Sequence, residues 1–143
     1  MNVLKPEKKL AILSGLVEGC SARSVSRMTG CHLETVLKVL VETGTRCQSL
    51  LDERIRSLHC EAVELDELWA FVYKKQGMLN PKDKIQHPDY GDAYTFVAVD
   101  PTTKMVVSYL VGKRDHEHTD RFIADLSRRV DGPVQLSTDG FLA

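Results

Sequence analysis

The sequence is poor in the features that mark specialised protein classes. No apolar run approaches the ~18 residues a membrane-spanning helix needs. The opening MNVLKPEKKLAIL lacks the basic start, apolar stretch and small-residue cleavage site of a secretory leader. Aromatic residues make up only 6% of the chain, with a single tryptophan, Trp69. No two of the four cysteines, Cys20, Cys31, Cys47 and Cys60, have the C-x-x-C spacing of a zinc knuckle. His32 beside Cys31 and His59 beside Cys60 do not complete a site, because adjacent side chains rarely converge on one ion. The cysteines read as reduced, mostly buried thiols, and a cytoplasmic location is expected. There are no internal repeats and no low-complexity tracts. The remainder is ordinary globular composition, 43% hydrophobic and 27% charged over 143 residues, enough for one domain or two small ones.

The net charge of -1 conceals an asymmetry. Residues 1–60 carry nine Lys and Arg against six Asp and Glu, whereas residues 61–143 carry ten against fourteen. A mildly basic front and an acidic back suggest two modules, divided where the periodicity changes at Glu61.

The front reads as helices. Pro6 suits a first turn, and Leu10, Ile12, Leu13, Leu16 and Val17 follow at helical spacing up to Gly19. Ser21 caps a short second helix with Val25 and Met28 inward, ended by Gly30. CHLETVLKVLVETG is a third helix, with Leu33, Val36, Leu37, Leu40 and Val41 on one stripe and Gly44 as its stop. TRCQSLLDERIRSL follows as a connector helix. The span from Cys20 to Leu40 has the layout of a helix-turn-helix, whose second helix enters the major groove. His32, Thr35 and Lys38 are then the candidates for base edges, and Arg23 and Arg27 for phosphates. A plain three-helix bundle with solvated charges is the other reading.

From Glu61 the period is that of strands. AVELDELWAFVYKK, YTFVAVD, KMVVSYLVG and VQLSTDG are the four strands, with a long polar loop after the first. Asp100 and Pro101 form the turn between the second and third. DHEHTDRFIADLSRRV is an amphipathic helix starting at His118 or Thr119, with Phe122, Ile123, Leu126 and Val130 inward. The fold class is mixed α+β: three helices, then strand-strand-strand-helix-strand.

The first strand carries Glu64, Asp66 and Glu67 in its middle. Alternation puts Glu64, Asp66, Leu68 and Ala70 on one face, and Val63, Leu65, Glu67, Trp69 and Phe71 on the other. A carboxylate buried unpaired would cost several kcal/mol, a cost that a metal ion removes. Mg²⁺ takes hard oxygen ligands, typically one or two carboxylates plus water and phosphate. Asp139, at the end of the last strand, is the second candidate ligand. As structural alternatives, Asp66 is an edge-strand surface residue and Asp139 a turn former before Gly140. Asp115, His116, Glu117 and His118 look metal-rich but read as the acidic, capped start of a helix. Trp69 and Phe71 read as core.

ELDELWAFVYKK, DAYTFVAVDPTTKMVVSYLVGKRD and VQLSTDGF together resemble the catalytic domain of DDE-type transposases of the insertion-sequence-one family, over about Glu61 to Phe141. The helical front resembles the helix-turn-helix that precedes that domain. The resemblance implies a helix-turn-helix bundle over 1–60 and a ribonuclease-H-like domain over 61–143. It implies Mg²⁺- or Mn²⁺-dependent cleavage of transposon ends and strand transfer into target DNA, with Asp66 and Asp139 as the first and second catalytic, metal-binding acids. Double-stranded DNA, a homo-oligomer assembled on it and a place at the nucleoid follow from the same resemblance. The family's third acid lies on a helix downstream of the second, so a partial catalytic domain, inactive by itself, is expected. The rival from another class is a non-catalytic helix-turn-helix regulator; a ribonuclease-H-like nuclease is the third reading.

Overall fold

The computed structural model of the chain describes residues 4–139 and divides it into two compact units, parting between Arg54 and Ile55. Gly140 and Phe141, which close the VQLSTDGF stretch, lie outside the described residues.

The first unit holds α1 (Pro6–Val17), α2 (Ala22–Thr29) and α3 (Leu33–Arg54). Local chemistry sets their ends. Pro6 stands in the first turn of α1. The Ser21 hydroxyl accepts the Ser24 amide at 3.2 Å and caps α2. Gly30 closes α2 in the left-handed region, with φ 66°. The Lys8 ammonium also donates to the Thr29 carbonyl at that end. Ile12, Val25, Val36 and Val39 form the core of the unit.

The buried side of each helix follows its apolar pattern only in part: Ile12, Leu13, Leu16, Val25 and Val36 lie inward as expected. Leu10, Val17 and Met28 are 67%, 84% and 70% exposed. The cause is Gly15: a Cβ there would lie 3.0 Å from a Val25 methyl. Helix α1 therefore meets α2 through its Gly15 and Ile12 side, which turns Leu10 and Val17 outward. On α3 the buried line is Val36 and Val39, while Leu37, Leu40 and Val41 are exposed. Nor does Gly44 stop the third helix. It keeps a helical backbone, and α3 runs unbroken to Arg54 in place of a separate connector. The Thr45 hydroxyl donates to the Val41 carbonyl at 3.0 Å across this point.

The second unit contains β1 (Ala62–Val72), a 3-10 turn (Gln76–Met78), α4 (Pro81–Gln86), β2 (Gly91–Val99), β3 (Val106–Gly112), α5 (His116–Arg129) and β4 (Gln135–Thr138). The described residues thus form a mixed α+β chain of five α-helices and one four-stranded mixed sheet. The long polar loop after β1 is partly ordered by its short helix, capped by Asn80, whose side chain accepts the Asp83 amide at 2.7 Å. No helix among the described residues is long and apolar enough to cross a membrane.

The strand order is β3-β2-β1-β4, with β1–β2 and β2–β3 antiparallel and β1–β4 parallel. Helix α5 carries the chain from β3 across to β4. It starts at His116, earlier than its pattern suggests, because Asp115 takes the capping position. Phe122 and Leu126 pack on Val63, Phe96, Ala98 and Val107, and the Phe96 and Phe122 rings lie 5.7 Å apart. Each such side chain contributes about 1.5–3 kcal/mol by burial. Ile123, expected inward, is 38% exposed. Ile55, Leu58 and Cys60 pack into this same core. The opposite face of the sheet is more open, with Leu68 and Val111 at 62% and 63% exposed.

Candidate functional site

The alternation of β1 puts Asp66 on the open face of the sheet, opposite Val97 of β2, and exposes it. The parallel register with β4 pairs Val63 with Leu136, Glu64 with Ser137 and Leu65 with Thr138. Asp66 follows Leu65 within β1, and Asp139 follows Thr138 beyond the end of β4. Neighbouring strands lie about 4.8 Å apart, and residues in parallel register point to the same face, so a strand that continued past Thr138 would bring the two positions close. Asp139 is exposed just past the end of β4. The Asp66 carboxylate accepts the amide of Glu67 at 2.7 Å.

Glu67 turns to the other face, where its carboxylate lies 2.9 Å from Nη2 of Arg114. Beneath the pair, Asp66, Glu67 and Thr138 line a small cavity of about 30 Å³ with Thr119 and Ile123 of α5. That volume is enough for one water molecule. Two oxygen-only side chains, with neither thiolate nor imidazole, make a donor set suited to Mg²⁺ or Mn²⁺ rather than zinc. Among the described residues, no group of three or more His, Cys, Asp or Glu side chains is placed to hold a metal ion.

The other acids have structural partners. Asp100 is buried at the β2–β3 turn, accepting the Thr103 hydroxyl at 2.7 Å and the Thr102 amide at 2.9 Å. These bonds hold its carboxyl below the usual range. Asp115 caps α5, accepting the His118 amide at 2.9 Å and contacting Nδ1 of its ring at 2.6 Å. The His118 bonds likewise lower its pKa. Both acids do what local sequence suggests.

In the first unit, Arg23 and Arg27 are exposed on α2. His32 and Lys38 are exposed at and near the start of α3, with Thr35 half-buried between them. Arg27 donates to the Ser24 hydroxyl at 3.2 Å, and Lys38 lies 3.9 Å from Glu42. These contacts are weak at such exposure and leave the cations able to turn to another anion.

Trp69 and Phe71 correct the core expectation: they are 48% and 47% exposed. Helix α5 covers the Val63 and Phe96 part of the sheet, and the two rings lie further along β1, beyond it. The signal available in the sequence was the Lys74–Lys75 pair following this aromatic alternation, a pattern more suited to a surface than to a core. The Glu67–Arg114 pair had no such signal, since it joins distant segments. Near it, the chain between β1 and β2 folds back to form a cleft of about 510 Å³. Gln76, His87, Tyr90, Lys113 and Arg114 are among its walls. Lys113 holds the cleft's shape by donating to the carbonyls of Tyr90 and Asp92, each at 2.8 Å.

No protein-family model matches the chain, and no curated protein matches it. Among solved structures, the Mos1 transposase paired-end complex with left transposon end is similar at 14% identity and a TM-score of 0.30, over 90% of this chain and 49% of that one. The chain therefore spans about half the length of that protein.

Proposed function

We propose that the chain is a DNA-binding protein of the DDE-transposase kind, related to the insertion-sequence-one family. In this reading α2 and α3 are the helix-turn-helix that docks on transposon-end DNA as part of a homo-oligomer. The second unit is the ribonuclease-H-like platform for DNA cleavage and strand transfer. The observation that carries the reading is the parallel β1–β4 pairing, which ends at Leu65 and Thr138, each of them followed by one of the two aspartates. The sheet order β3-β2-β1-β4, with α5 carrying the chain from β3 to a β4 parallel to β1, supports it.

Asp66 and Asp139 would hold the divalent ion. When bound, such an ion activates the attacking oxygen and stabilises the leaving one in phosphoryl transfer. The protein's own part is to fix two carboxylates on rigid strands. The test is Mn²⁺ binding followed by the ion's magnetic resonance. Wild type should bind, and Asp66→Asn or Asp139→Asn should each weaken binding. Unaltered affinity in both variants would remove the site.

A non-catalytic DNA-binding regulator is the second reading. What favours it is that no group of three or more His, Cys, Asp or Glu side chains is placed to hold a metal ion among the described residues. Duplex binding without ion binding would select it.

A further inference from the structure

The sheet face beyond α5 is built unlike a core and unlike an ordinary solvated surface. Trp69 of β1 stands opposite Tyr94 of β2, and Phe71 follows on the same face, its ring 5.8 Å from that of Trp69. Aromatic side chains this large normally bury most of their area. Here a cation lies over two of the rings. Lys75 Nζ is 5.4 Å from the Trp69 centroid, and the Arg114 guanidinium is 6.0 Å from that of Tyr94. The acids of this part of the sheet are already engaged: Asp92, opposite Phe71, accepts the Gln76 amide at 3.1 Å, and Glu67 pairs with Arg114. The patch therefore presents flat apolar rings with Lys75 and Arg114 over two of them and one engaged carboxylate, Asp92, at its edge.

We propose that this face binds single-stranded DNA, with unpaired bases stacking on Trp69, Phe71 and Tyr94, and backbone phosphates meeting Lys75 and Arg114. Alternating rings and cations match the alternation of bases and phosphates along a strand. A duplex cannot use the rings, because its base faces are already stacked on one another. The adjoining cleft, which Tyr94 and Arg114 also line, is about 510 Å³ and has room for a further nucleotide. The site shares no residue with the Asp66–Asp139 pair and needs no metal, so it stands or falls separately from the catalytic proposal.

Trp69 is the only tryptophan in the chain, so its fluorescence reports on this face alone. The experiment titrates the full chain, in chelator, with an oligo-dT of about 15 nucleotides and with a duplex of equal phosphate count. The single strand should quench Trp69, and the duplex should not. Tyr94→Leu should weaken single-strand binding about fivefold or more, the loss of one stacked base. Because Tyr94 is half-buried, the exposed Lys75→Gln is the companion variant. It should keep the melting temperature, weaken binding and flatten the salt dependence. Unchanged Trp69 emission at saturating oligo-dT would overturn the proposal. So would quenching by both DNAs alike, or wild-type affinity and salt dependence in Lys75→Gln. Burial of Trp69 by a second copy of the chain that oligo-dT does not displace would overturn it too.

Discussion

Leu65 of β1 stands opposite Thr138 of β4 in parallel register, and that pairing decides where two acids go. The residue after each is an aspartate, and in the proposed site Asp66 and Asp139 would stand as neighbours. Like charges side by side on adjacent strands repel. A divalent ion between them turns that cost into a gain. Wild type should therefore melt at a higher temperature with Mg²⁺, by the equivalent of about 1.4 kcal/mol at ten times the dissociation constant. Asp66→Asn and Asp139→Asn should lose that response while melting no lower than wild type in chelator. Thermal melts with and without Mg²⁺ measure both, and an equal Mg²⁺ shift in all three proteins would count against the pairing.

Duplex binding by the first unit should depend on Arg27 and Lys38. Both are exposed cations on the two helices that would face DNA. With few cations available to neutralise phosphates, affinity should be modest and fall with salt. Arg27→Ala with Lys38→Ala should reduce the log–log salt slope by roughly 0.9 for each phosphate no longer neutralised. Gel shifts on transposon-end duplex at several salt concentrations test this. Equal binding by the double variant would remove the assignment.

Asp125 on α5 links three parts of the second unit. It accepts the Ser108 hydroxyl of β3 at 2.6 Å and Nε of Arg129 at 2.6 Å, while Arg129 also donates to the Ile55 carbonyl at 3.4 Å. Arg129 is only 4% exposed. Asp125→Ala takes the carboxylate from a buried guanidinium and should cost about 3 kcal/mol. Ser108→Ala should cost about 1 kcal/mol. Urea denaturation provides both numbers, and a near-neutral Asp125→Ala would contradict the role.

The same network sets an acid limit. Burial works against the charge on Asp125, but hydrogen bonds from Arg129 and Ser108 outweigh it and hold its pKa below the usual range. Asp100 and Asp115 are lowered as well. A group whose folded pKa is the lower one stabilises the fold above its unfolded pKa of about 3.9, and that contribution is lost as pH falls through the folded value. Stability should therefore be level with respect to these groups at neutral pH and drop below about pH 4. Asp125→Asn should show a shallower drop. Urea midpoints across that range would expose the opposite trend.

The thiols should separate by reactivity. Cys47 is exposed, whereas Cys60 is buried in the second core. Burial, helped by the nearby charge of Asp100, pushes the Cys60 pKa up, so its thiolate is scarce. Under mild alkylation at pH ~8, mass spectrometry should find Cys47 labelled first and Cys60 labelled only on unfolding. Rapid labelling of Cys60 in the folded protein would contradict its place in the core.

Sequence alone determined what depends on near neighbours. The Ser21 cap, the Gly30 stop, the Asp100 turn and the Asp115 cap are hydrogen bonds or backbone states within a few residues, so the residue types announce them. The alternation that sends Asp66 and Glu67 to opposite faces is equally local, because it follows from the two-residue period of a strand. Tertiary structure decided the rest. Leu10 and Val17 carry the right apolar pattern yet lie outside, because the packing of Gly15 on Val25 sets how α1 turns. Trp69 and Phe71 read as core residues, but α5 lies over the Val63 and Phe96 part of the sheet and leaves them exposed. Asp66 and Asp139 could each be picked out along the chain. Whether they can meet depends on the β1–β4 register, which is fixed by the crossover through α5 and by burial of Val63 and Leu65 beneath it. An approach between distant segments is settled by packing on both of them at once, and neither segment carries that information alone.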